Sequence, residues 1–370
     1  MAHAESALPT AQQSNFWDKV WRTLDERLAL HALAYPVPEY ANTIPYTLGG
    51  ITLFGFVVLF ATGILLTQFY HPHPSEAHDS VVYIITQVPF GDFIRSIHFW
   101  TANLVVVTAV LHMIRIFYTA SFKRPREFNW LVGVGLLAVT LGFVFTGTIL
   151  KWDQEASEAL AHNKEIGELL GVWGVWLSSE FTRSTPLLAR LYSTHITILP
   201  FVVLGLVAIH LFLVKMLKIS PKPTGNARAG DGYPADQKTE SPFGMGRFDV
   251  HIRRMIGFGL ILFAAVAVWS FFYAAPLGLK AVPGEEVTKP PWMLLWLYPI
   301  ENVLGVSGIL YGGIAFFTLL ALVPFIDRSP WLASSKRRGM LIAGVVVLLI
   351  LVALVVYAQF TVPVTHTTGG

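Results

Sequence analysis

Residues 93–117 read FIRSIHFWTANLVVVTAVLHMIRIF, and residues 190–215 read RLYSTHITILPFVVLGLVAIHLFLVK. Each is an apolar run long enough to cross a bilayer, with a histidine towards either end. His98 and His112 are 14 residues apart, and His195 and His210 are 15 apart. At 100° per residue, 14 steps return to within about 40° of the start and 15 to within about 60°. Each pair therefore projects from one helix face. The rise between its members is about 21–22 Å, two distinct depths in a hydrocarbon core about 30 Å thick. Ionisable groups at such depths mark function. Two histidines facing each other across a bundle are the axial ligand set of a haem. An iron held by two imidazoles has no open position, so such a haem transfers electrons.

Seven apolar stretches of about 20 residues run along the chain. They cover Thr47–Phe69, Ile97–Tyr118, Trp130–Leu150, Ser193–Leu217, Met255–Ala275, Val303–Ile326 and Gly339–Tyr357. None alternates as a strand would. The expected fold class is an all-α integral membrane bundle of seven transmembrane helices. The 370 residues are 54% hydrophobic and 13% charged, about half the charge of a soluble domain. Cysteine is absent, which excludes disulfides, iron–sulfur clusters and covalent c-type haem.

Basic residues orient the spans. Eighteen lie in the N-terminal arm and in the loops after the second, fourth and sixth spans. The opposite face has only Arg95, Lys151, Lys164, Arg183, Arg190, Lys280 and Lys289. The N-terminus is therefore expected in the cytoplasm and the C-terminus outside, in a bacterial cytoplasmic (inner) membrane. Topology accounts for the basic residues, so no nucleic-acid partner is expected. The polar start, MAHAESALPTAQQSN, is no signal peptide. The domains expected are an arm with an amphipathic surface helix within Phe16–Leu33 (1–45), a four-helix di-haem unit (46–218), a cytoplasmic linker (219–252) and a three-helix unit (253–370). With the depths oriented, His98 pairs with His195 near the outer face, and His112 with His210 near the inner face.

Glycines reinforce the two levels. Gly49 and Gly63 on the first span are 14 apart, as are Gly133 and Gly147 on the third. A haem edge passing a helix needs a residue without a side chain. Haem propionates need cations: Arg95 and Arg190 at the outer level, Arg115 and Lys215 at the inner. The other histidines read as solvated: His3, His162, His251 and His366 in polar segments, His71, His73 and His78 in a loop, and His31 on the surface helix.

These motifs resemble the cytochrome b/b6 family of bc-type and b6f-type quinol oxidoreductases. The resemblance rests on LGGITL and ATG in the first span, FIRSIHFWTANL…LHMIRIF and FKRPREFNW around the second, FTGTILKWDQ ending the third, and RLYSTHITILPF…IHLFLVK in the fourth. It covers about residues 23–360 and looks like a b6-like half fused to a subunit-IV-like half. The resemblance implies two b-type haems, a quinol-oxidising site near the outer face and a quinone-reducing site near the inner one. It implies electron flow between these sites coupled to proton translocation. It also implies a Rieske iron–sulfur or other redox subunit, a cytochrome c subunit and a homodimeric complex.

Two departures stand out. The b6 branch holds an extra covalent haem on a cysteine in the first span; here Thr47 stands at about that place, so none is expected. The family's Pro-Glu-Trp-Tyr loop reads Pro290-Pro291-Trp292-Met293 here. A proline cannot take the quinol proton that the glutamate is thought to accept. Glu301, Asp153 and Glu155 are the carboxylates available instead. A second reading keeps the haems and makes the chain a quinone-reactive membrane anchor of another oxidoreductase without a Rieske partner. A third, a transporter without haem, leaves the four matched histidines unexplained.

Overall fold

A computed structural model describes residues 16–28, 36–178, 181–182, 184–231, 245–282 and 286–366. His3, His31, Arg183 and the middle of the 219–252 linker lie outside them. The helices are α1 (Phe16–Leu28), α2 (Ile44–Thr67), α3 (Ala77–Thr86), α4 (Gly91–Tyr118), α5 (Glu127–Leu150), α6 (Gln154–Leu169), α7 (Leu187–Ser193), α8 (Leu199–Leu217), α9 (Phe248–Phe272), α10 (Tyr298–Leu304), α11 (Val306–Ile326) and α12 (Arg338–Phe360).

Seven of the described segments are long and apolar enough to span: α2, α4, α5, the continuous Leu187–Leu217, most of α9, α11 and α12. The chain is a multi-pass membrane protein. Several helices outrun the apolar stretches read from sequence. The second begins at Gly91 rather than Ile97, and the fourth at Leu187 rather than Ser193. Hydropathy marks the apolar length, whereas the helices begin earlier and include Asp92 and Arg95 in the second span and Arg190 in the fourth. Large apolar side chains such as Ile64, Phe201, Ile261 and Leu349 stay exposed on the spans, as lipid-facing residues should.

The fourth span is not a uniform α-helix. Thr194–Ile198 forms a π turn between α7 and α8. Such a turn accommodates one extra residue in a helix. The amphipathic surface helix is found as α1, and residues 29–33 of its expected range lie outside the described residues. One short antiparallel ribbon accompanies the helices: β1 (Pro36–Pro38) pairs with β2 (Met245–Arg247), tying the N-terminal arm to the start of α9.

The bundle core forms three layers. Phe56, Val105 and Val203 fill the middle, with Leu136 and Val139 packed against them. Val105 is halfway between His98 and His112, and Val203 about halfway between His195 and His210, so this layer separates the two histidine levels. Ala77, Ile149, Leu187, Leu188 and Leu191 close one end. Phe122, Trp130, Val134 and Val323 close the other. At that second end Asp327 is buried between Lys123 and Arg337, with N–O distances of 2.6 Å to each. Two cations that sequence reads as loop charges are therefore an internal tie between the four-helix and three-helix halves.

Candidate functional site

The four histidines form two facing pairs. The ring centres of His98 and His195 are 6.5 Å apart, and those of His112 and His210 are also 6.5 Å apart. Imidazoles on either side of one iron, at metal–nitrogen bonds of about 2 Å, have ring centres roughly 6 Å apart. Both gaps fit. The π turn explains how spacings of 14 and 15 serve the same two levels: the extra residue on the fourth span is taken up at His195.

The glycines sit behind the rings. A Cβ on Gly49 would lie 2.9 Å from His112 Cε1, on Gly63 3.4 Å from His98, on Gly147 3.1 Å from His195 and on Gly133 3.9 Å from His210. Each glycine is matched to one histidine, and a side chain there would meet the imidazole. At Gly49 and Gly147 a methyl group would press on the ring.

The rings of His98 and His195 are also oriented. Thr62 Oγ1 lies 2.9 Å from His98 Nδ1, and Thr146 Oγ1 lies 2.8 Å from His195 Nδ1. Each threonine hydroxyl donates to its own helix, to Val58 O and Gly142 O. Its oxygen therefore accepts from Nδ1–H, which leaves Nε2 as the free lone pair. This is how ligating imidazoles are usually held. At the His112/His210 level Leu48 and Val132 precede the glycines in place of threonine, and His112 Nδ1 and His210 Nδ1 are buried without a hydrogen bond. Thr62 and Thr146 escaped the sequence reading, although the repeated Thr-Gly pair was a visible signal.

A cavity of about 550 Å³ opens between His98 and His195. Gly63, Gly147, Phe143, Arg95 and Trp292 are among its walls. That is the size range of cofactor sites. Together the gaps, the glycines, the oriented rings and the cavity fit bis-histidine haem.

The basic residues are mostly committed elsewhere. Arg95 faces the cavity, but its guanidinium donates to Ala275 O and Pro276 O at 2.8 and 2.6 Å. Arg190 donates to Trp176 O and Ser178 O, which holds the loop before α7. Arg115 lies over the Tyr46 ring at 4.6 Å. Lys215 is exposed.

The loop between α9 and α10 is pinned over the His98/His195 end of the bundle. Ala275 N donates to Ser96 Oγ, Gly278 N to Asp153 Oδ2, and Val287 and Thr288 N to Glu158. Asp153 also caps α6 at Ala156 N, so it is a clamp rather than a free base. Beneath the loop is a second cavity of about 90 Å³, whose walls include Pro290, Pro291, Glu155, His162 and Glu301. It shares Pro291, Glu155 and Thr148 with the larger one. Trp292 lines the larger cavity and donates to Asn103 Oδ1 at 2.7 Å. Burial raises the pKa of Glu155, which pairs with Lys151.

Three histidines read as solvated are not. His251 is buried, with Nδ1 3.1 Å from Asn42 Oδ1. His162 and His366 meet Glu286 and Glu301 in a buried cluster. His162 Nε2 is 2.6 Å from Glu301 Oε1 and 3.3 Å from Glu286 Oε1. Burial alone would lower the His162 pKa, but contact with Glu301 and the charges of both glutamates raise it to about 9. These residues are 15 to 204 positions apart in sequence, so no local spacing announced them.

The model of the family described as cytochrome b/b6/petB matches residues 33–218. The chain belongs to the cytochrome b/b6 family. It is 40% identical over 190 residues to a cytochrome b6 of Heliobacterium mobile, covering 50% of this chain and 89% of that one. It is 34% identical over 348 residues to a cytochrome bc complex cytochrome b subunit of Chlorobaculum thiosulfatiphilum, covering 88% and 76%. The second match runs through both halves, consistent with the fusion read from sequence. A chain of a solved structure described as a hyperthermophilic respiratory Complex III shares the fold, with a TM-score of 0.74 at 24% identity over 93% of this chain and 89% of that chain. The protein is thus a cytochrome b of the bc/b6f type, an electron-transport subunit of an oxidoreductase complex, and its family binds b-type haem. Membership excludes the haem-free transporter.

Proposed function

We propose that this chain is the di-haem, quinone-reactive subunit of a quinol:cytochrome c type oxidoreductase. It carries electrons from an outer quinol-oxidising site to an inner quinone-reducing site, with proton translocation. The observation that carries the reading is the pair of equal 6.5 Å gaps between facing imidazoles. His98 with His195 and His112 with His210 would each hold one haem, non-covalently. The haems supply one-electron transfer when bound. The protein fixes their place: Thr62 and Thr146 set the outer imidazole tautomers, and the four glycines let the rings sit back against α2 and α5.

The cavity under Pro290–Trp292 is the quinol site in this reading. It adjoins the outer histidine cavity through Pro291, as transfer from quinol towards His98 and His195 requires. Pro290 and Pro291 shape its wall, and Trp292 bridges to α4 through Asn103. Glu301 replaces the loop carboxylate as proton acceptor. It is buried, lines this cavity, and its Oε1 receives no well-aligned hydrogen bond. Glu155 is the other carboxylate on the wall. Arg95 positions the loop by holding Ala275 and Pro276.

Basic-residue bias supports a cytoplasmic N-terminus and an outer C-terminus in a bacterial inner membrane. A Rieske protein and a cytochrome c would complete the reaction, in a homodimeric complex. Purification of the tagged chain from its native membrane tests the partnership. Co-purification of a Rieske protein with quinol:cytochrome c reductase activity is expected. A dehydrogenase module in its place would make the chain a membrane anchor instead.

A further inference from the structure

We propose that His162, Glu286, Glu301 and His366 form a divalent transition-metal site of the zinc type, separate from the two haem positions. Four chain segments converge there: α6, the loop before α10, α10 itself, and the tail after α12. Each residue offers one ligand atom, and the four atoms lie within 4.8 Å of one another. The nitrogen–oxygen distances are 2.6 and 3.3 Å from His162 and 3.3 and 3.7 Å from His366. Ligands around a tetrahedral zinc, at bonds of about 2.0–2.1 Å, stand about 3.3 Å from each other. A small contraction or expansion of side chains completes that geometry.

The tautomers point the same way. His162 Nδ1 lies 2.6 Å from the Glu158 carbonyl, which can only accept. His366 Nε2 lies 2.7 Å from Asn302 Oδ1, which also accepts. The outward nitrogens are thus engaged, and the inward ones, His162 Nε2 and His366 Nδ1, are those that face the carboxylates and are placed to bind an ion. Outward N–H groups held by carbonyl or amide oxygen are the arrangement found behind metal-bound histidines.

Burial sharpens the requirement. The His366, Glu286 and Glu301 side chains are only 5%, 6% and 3% exposed. Two carboxylates in so dry a place need a compensating charge, which one divalent ion bound by the two imidazoles and two carboxylates would supply. Mixed nitrogen and carboxylate donors favour zinc over magnesium or calcium. A bound ion would staple the C-terminal tail to α6 and α10. His162, Glu286 and Glu301 also line the cavity under Pro290 and Pro291, so a bound ion would occupy Glu301, the acceptor proposed for the quinol proton; the zinc titration reads the site without turnover.

The test uses the full-length chain with its haems, purified in detergent, stripped with a chelator and titrated with Zn²⁺ by equilibrium dialysis. One Zn²⁺ per chain is expected, with an X-ray absorption shell of four nitrogen or oxygen ligands. His366→Gln and Glu286→Gln should each weaken binding at least tenfold, with the haem spectrum intact. His366 lies beyond the last helix, so its loss leaves the bundle able to fold. The surface variant His73→Gln should bind as the parent does. Absence of stoichiometric zinc, or equal binding by parent and His366→Gln chains, overturns the site.

Discussion

His195 and His210 are 15 residues apart, one more than His98 and His112, yet they face those two residues across equal 6.5 Å gaps. The π turn over Thr194–Ile198 reconciles the counts. Removing Thr197 should convert the turn to regular helix and leave two haems in the reduced-minus-oxidised spectrum. Removing Val106 from α4, where no π turn can absorb the change, rotates His98 by about 100° relative to His112 and should cost one haem. Haem loss on Thr197 deletion would contradict this explanation of the spacing.

The glycines give a graded test. Gly→Ala in a helix interior is ordinarily favourable by about 1 kcal/mol. At Gly49 the new methyl would sit 2.9 Å from His112 Cε1, whereas at Gly133 it would sit at an ordinary 3.9 Å from His210. Gly49→Ala should lower inner-haem occupancy or shift its spectrum, and Gly133→Ala should leave both unchanged. Haem quantitation of the two variants decides it.

The threonines should act on one haem only. In Thr62→Val and Thr146→Val the outer imidazole loses the acceptor for Nδ1–H. The ligand becomes a weaker donor, so the outer haem's midpoint potential should rise and its retention should fall about 10–100-fold. The inner haem should titrate as before. A redox titration in which both potentials move together would show that the threonines do more than orient His98 and His195.

Asp327 is the single anion between Lys123 and Arg337. Replacing it by Asn leaves two buried cations unmatched, a change that costs roughly 3–5 kcal/mol. The Asp327 pKa is lowered because Lys123 and Arg337 outweigh its burial. A depressed carboxylate stabilises the fold above its unfolded pKa of about 4, and that stability is lost as pH falls through the lower folded value. Thermal unfolding in detergent should therefore show a parent Tm that drops on acidification below about pH 4. The Asp327→Asn Tm should be lower at neutral pH and less sensitive to acid.

Much of this was legible because membrane physics writes in long runs. Seven spans follow from hydropathy, and the two facing histidine pairs from helical periodicity at 98/112 and 195/210. The glycine spacing pointed to the two histidine levels, and each glycine does lie against one of the four imidazoles. The arginines show a different limit. Arg95 donates to carbonyls 180 and 181 residues away, and Arg190 to carbonyls 12 and 14 residues before it, pairings no one-dimensional pattern encodes. His162 and His366 read as solvated because their partners come from three other segments. The π turn was hidden because one extra residue in a helix alters no composition.

The account rests on which histidine faces which. Haem quantitation and low-temperature reduced-minus-oxidised spectra of the purified chain test it most directly. The parent should hold two b-type haems per chain. His112→Ala and His210→Ala should each lose the same haem component, and His98→Ala and His195→Ala the other. One haem per parent chain would contradict the account, as would loss of different components from His112→Ala and His210→Ala.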